Sequence, residues 1–147
     1  NAIELMKKGA ARAARSMPAE ITKYLPCSVG SDSREAQEVA LNSIGQTLGA
    51  FWKAYASSNT AIAAIRNNNE IDPEIFNYAL ERLAAGDPGS KALDDSFIHA
   101  YGVAGSVSEC VEQIKKHGSS GVTQLTLTIL GETPKESIRM LGAATRT

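Results

Sequence analysis

The segment Gly105–Leu130, GSVSECVEQIKKHGSSGVTQLTLTIL, reads as helix, tight turn and strand. Ser106 and Glu109 stand at S-x-x-E spacing, in which the hydroxyl takes a backbone N–H one turn on while the carboxylate reaches back to the cap. Val107, Cys110, Val111 and Ile114 then form one apolar stripe, and Gly118 supplies the stop. Leu125, Leu127 and Ile129 alternate with Gln124, Thr126 and Thr128, so the strand has one aliphatic and one polar face. Helix–strand units of this kind build parallel sheets. One unit is not stable by itself, so the segment predicts partners elsewhere in the chain.

Upstream, Ile3, Met6, Ala10, Ala13 and Met17 fall at helical spacing and predict a helix over about 2–16, closed by Pro18. Ile21 to Val29 alternates with period two and ends at Gly30, a strand whose Pro26 fits best near its end. Asp32 and Glu35 open a long helix, to about Ser57, with Ala36, Val39, Ala40, Ile44, Leu48, Phe51 and Tyr55 on one face. Thr60–Arg66 predicts a short helix broken at Asn67–Asn69. Asp72-Pro73 opens another that runs to Gly86, and Asp87-Pro88-Gly89 is a turn. A weaker helical patch spans Lys91–Ala100, and a last helix runs from Pro134 to about Leu141. The reading is one unit, 1–147, with two strands placed side by side and parallel and a helical insertion over about 59–103.

Composition narrows the function. Fifteen basic residues nearly cancel sixteen acidic ones, leaving no summed field for nucleic acid or an anionic membrane, so a small-molecule substrate or a protein partner fits better. No apolar run approaches bilayer length and no signal-peptide pattern opens the chain, which reads as soluble and cytoplasmic. Cys27 and Cys110 lie far apart and outside any Cys/His spacing, which argues against a metal site or a disulfide framework. The start at Asn1, with a helix and no strand before it, suggests a fragment.

Candidate site residues come from the polar strand faces. In a barrel such a face lines the lumen, and its C-terminal end borders the active site, which makes Tyr24, Ser28 and Thr128 lumen or substrate-side candidates. Hydroxyls that merely satisfy each other in a core would look the same. His99, beside Tyr101, is a fourth candidate; His117, in a helix's last turn, fits a cationic cap. Cys110 lies on the core stripe, and Cys27 fits either packing or a reactive thiol. Phe51, Trp52 and Tyr55 suit helix packing or an oligomer surface, and Gly102–Gly105 lacks the spacing of a phosphate loop.

Lys8–Arg15 (KGAARAAR), Cys27–Ala36 (CSVGSDSREA) and Gly105–Val111 (GSVSECV) through Gly121-Val122 together resemble the C-terminal half of the luciferase-like flavin and deazaflavin oxidoreductases. Within that superfamily the chain is most similar to the methylene-tetrahydromethanopterin reductases. The resemblance implies an α/β fold, the C-terminal part of a TIM (β/α)8-type barrel. It implies hydride transfer between coenzyme F420 and a one-carbon-bearing pterin, or, alternatively, FMN-dependent monooxygenase chemistry. Such cofactors carry the hard chemistry while the protein positions them and excludes water. A complete barrel needs roughly 250 residues. The resemblance therefore implies that the cofactor is not bound by this chain alone and that no catalytic residue can be assigned to a position here. It also implies that the chain pairs with a missing N-terminal half or with itself as a homo-oligomer; a non-catalytic half-barrel that only assembles is the third reading.

Overall fold

The computed structural model describes residues 2–55, 63 and 70–145. Along the chain run α1 (Ala2–Arg12), β1 (Thr22–Val29), α2 (Ser33–Tyr55), α3 (Pro73–Ala84), α4 (Gly89–Ala92), α5 (Asp95–Tyr101), β2 (Val103–Gly105), α6 (Val107–Gly118), β3 (Gln124–Ile129) and α7 (Pro134–Ala144). The caps read from the sequence form. The Asp32 carboxylate accepts from the Arg34 and Glu35 amides at 2.9 and 3.1 Å, and Asp72 accepts from Glu74 and Ile75 ahead of α3, where Pro73 occupies the first turn. The capping box of α6 is complete. The short helix read over Thr60–Arg66 and its Asn break lie outside the described residues.

The last helix runs on to Ala144 rather than about Leu141, and the larger departures from the sequence reading fall at α1 and at the Lys91–Ala100 patch. α1 stops at Arg12, and Ala14 takes a positive φ of 50° while the Arg15 amide turns back to the Ala10 carbonyl. Leu5 and Met6 on this helix are exposed, so little tertiary burial sustains a further turn. The patch over Lys91–Ala100 divides into α4 and α5, because Leu93 is extended and Asp94 caps a new start through the Ser96 amide.

The three strands form a parallel sheet in the order β2-β1-β3. β1 and β3, the two strands legible in the sequence, lie side by side with Tyr24 opposite Thr126 and Leu25 opposite Leu127. β2 is an addition to that reading: three fully buried residues, paired from Cys27↔Val103 to Val29↔Gly105, too short to show a period. Its edge is closed by one side chain, since the Gln113 amide donates to the Ala104 carbonyl at 2.8 Å and accepts from the Ala104 amide at 2.9 Å.

Pro26 stands in the middle of the central strand rather than near its end. The carbonyls of Ile21 and Cys27 point at β3, so the alternate residue Pro26 turns its missing N–H toward the β2 side. The ladder with β2 begins only at Cys27, so the proline removes no sheet hydrogen bond.

Because β2 and β3 lie on opposite sides of β1, the two crossovers run in opposite directions and their helices cover opposite faces. One core joins α2 (Ala40, Leu41, Ile44, Leu48) to α3, α4 and α5, with Phe76 and Phe97 stacked at 5.9 Å, and reaches the sheet at Ala104. The other joins Leu25, Cys27, Val29 and Val103 to Cys110 of α6 and Leu141 of α7. Where α2 meets α4 the backbones touch: a Cβ on Gly89 would overlap the Leu41 carbonyl, and one on Gly45 would stand 2.7 Å from the Gly89 Cα.

Candidate functional site

Ligand sites of parallel α/β folds lie outside the carboxyl ends of the strands. Here those ends are joined by the amide of Gly30 donating to the Gly105 carbonyl and the amide of Leu130 donating to Cys27. The starts of α2 and α6 meet on this rim. One oxygen of Glu109 accepts from the Ser106 amide (2.7 Å), the Ser106 hydroxyl (2.6 Å) and the Ser33 hydroxyl (2.7 Å). Hydrogen bonds from Ser106 first and Ser33 second hold this exposed carboxyl down to a pKa of about 2. Gly105 is required beneath it: φ is +130°, and a Cβ would lie 2.6 Å from the Glu109 oxygen.

Of the sequence-derived candidates, Tyr24, Ser28 and Thr128 share one face of the sheet, together with Thr126. Tyr24 is 72% exposed, Thr128 is exposed, and Ser28, next to the rim, is buried. Thr128 sits beside Pro26, two residues short of Ser28, so these two approach the rim while Tyr24 lies further down β1. His99 is not brought to them: it is exposed on α5, just before β2 begins, at the opposite edge of the sheet.

That opposite edge holds a half-buried polar pair. His117 is not the cationic cap of its own helix. It is buried, and its Nε2–H donates to the Gly102 carbonyl at 3.0 Å, which fixes the neutral tautomer and leaves Nδ1 to accept from the Lys23 ammonium at 3.1 Å. Burial pushes the His117 pKa down, and the Lys23 charge adds to that; burial also lowers Lys23, whose ammonium reaches the Ala100 carbonyl. Nothing local in the sequence pairs Lys23 with His117 or Ser33 with Glu109, since both contacts join distant segments. Among the described residues, no three His, Cys, Asp or Glu side chains gather to hold a metal ion, and no helix is long and apolar enough to cross a membrane.

Three parallel strands, helical crossovers and loops gathered at the carboxyl edge define a parallel α/β fold. The chain belongs to the luciferase-like monooxygenase family, whose model matches residues 1–124. Its structure is similar to that of the coenzyme F420 dependent tetrahydromethanopterin reductase from Methanopyrus kandleri, with a TM-score of 0.61 and 23% identity over 92% of this chain. The chain spans 37% of that protein's length, so its architecture is that of part of a luciferase-like barrel.

Proposed function

We propose that the chain is the C-terminal portion of a coenzyme F420-dependent reductase that passes hydride to a one-carbon-bearing pterin such as methylene-tetrahydromethanopterin. Family membership over residues 1–124 carries the oxidoreductase reading, and the similarity to the F420-dependent enzyme favours deazaflavin over FMN. Bound, the cofactor supplies the hydride. The described residues do not fit its anionic tail: at the rim, the α2 and α6 starts are already capped from within by Asp32 and Glu109, whose carboxylates take the donors an external anion would use. This chain's share is a rim held rigid by Glu109 and, on the sheet face below it, the exposed Tyr24 and Thr128 as the side chains open to a small-molecule substrate, while Ser28 on the same face lies buried under the α2 core. The rest of the cofactor site belongs to a further barrel portion.

Fluorescence titration tests this directly. The chain alone is expected to bind neither F420 nor FMN tightly, and clear one-to-one binding would overturn the partial-site reading. Supplying an N-terminal barrel portion is expected to restore F420 binding and methylene-tetrahydromethanopterin reduction; FMN binding with oxygen consumption would select the monooxygenase instead. Light scattering addresses self-assembly, which a compact monomer would contradict.

A further inference from the structure

Cys27 on β1 and Cys110 on α6, the only two cysteines of the chain, are both fully buried free thiols in the core between the sheet and α6–α7. Cys27 shares its face with Leu25 and Val29 and so points at α6, where Cys110 lies on the apolar stripe. The Cys110 sulfur is 3.7 Å from the carbonyl of Ser28, the residue after Cys27, and 3.6 Å from that of Gly105, and both cysteines belong to the same packed cluster.

We infer that Cys27 and Cys110 form a latent redox pair, a buried dithiol that hydrogen peroxide closes into a disulfide joining β1 to α6. In the first step the Cys27 thiolate attacks one peroxide oxygen: an S–O bond forms, the O–O bond breaks, and the departing hydroxide takes up the thiol proton as water. In the second, the Cys110 sulfur attacks the sulfenic sulfur, S–S forms, S–O breaks, and the hydroxyl leaves as water with the Cys110 proton. Two thiols thus lose two electrons and two protons, and one peroxide becomes two waters. The order follows from the environment. The neighbouring Cys110 thiol pulls the Cys27 pKa down against the effect of burial, whereas the Cys27 thiol and burial push Cys110 up. Because neither sulfur reaches the surface, the reaction waits on a local separation of α6 from β1, so oxidation reports that opening.

The test uses the intact native chain, exposed to hydrogen peroxide, quenched, then unfolded with N-ethylmaleimide and weighed. Untreated chain is expected to take two maleimides. Oxidised chain should take none, weigh two hydrogens less and release a Cys27–Cys110 linked peptide on non-reducing digestion, with dithiothreitol restoring both sites. Two free thiols after oxidation, or separate sulfinic acids without the linked peptide, would overturn the proposal.

Discussion

The Ser33 hydroxyl donates to the Glu109 carboxylate at 2.7 Å, tying the start of α2 to the start of α6 across the carboxyl edge of the sheet. The same oxygen serves the capping box, so one carboxylate fixes two loops. Its folded pKa, about 2, lies below the ordinary 4.5. The unfolded chain therefore binds the proton more readily between those values. The stability Glu109 contributes is fully present above pH 4.5 and lost as pH falls toward 2. Urea unfolding across that range should show Glu109→Gln flatter in pH than the parent; equal slopes would refute the assignment.

Gln113 spends both ends of its amide on the backbone of Ala104. Gln113→Ala leaves a buried N–H and C=O without these partners at the edge of β2, and the expected cost is about 1–3 kcal/mol by chemical denaturation. Hydrogen exchange should locate the loss at β2, with the Ala104 amide exchanging faster while β3 amides keep their protection.

His117 is held neutral by burial and the neighbouring Lys23 charge, so its pKa is lower in the folded than in the unfolded chain. The unfolded state takes the proton first. The contribution is therefore complete above the unfolded value of roughly 6.5 and declines as pH falls from there toward the lowered one. His117→Ala should remove that slope and cost about 2–4 kcal/mol, through lost packing and an orphaned Gly102 carbonyl. Nitrogen chemical shifts of the His117 ring should report the Nε2–H tautomer at neutral pH.

Gly89 lets α4 rest on α2 with no side chain between them. Gly89→Ala forces the helices apart and is expected to cost roughly 2–4 kcal/mol, read as a lowered urea midpoint. An unchanged midpoint would mean that α4 shifts freely.

Much of the local structure was legible because its causes are local. Asp32, Asp72 and the Ser106–Glu109 pair announce helix starts through hydrogen bonds that span one turn, and the alternation at Leu125, Leu127 and Ile129 announces a half-buried strand. β2 was not legible: Val103-Ala104-Gly105 offers no period, and what makes it a strand is the neighbouring β1 and the distant Gln113 amide. The site divides the same way. Tyr24, Ser28 and Thr128 share a face, as strand alternation requires, but Ser33 enters the rim only through a carboxylate on another helix, and His117 is placed by a carbonyl and a lysine that its own helix does not contain.

The sequence by itself determined the α/β alternation, the helix caps and the two longer strands, because period and capping act within a few residues. Tertiary structure alone decided the β2-β1-β3 order, the neutral state of His117 and the meeting of Cys27 with Cys110. Those depend on which distant segments pack together, and burial, register and dielectric are properties of the packed neighbourhood that no short run of residues encodes.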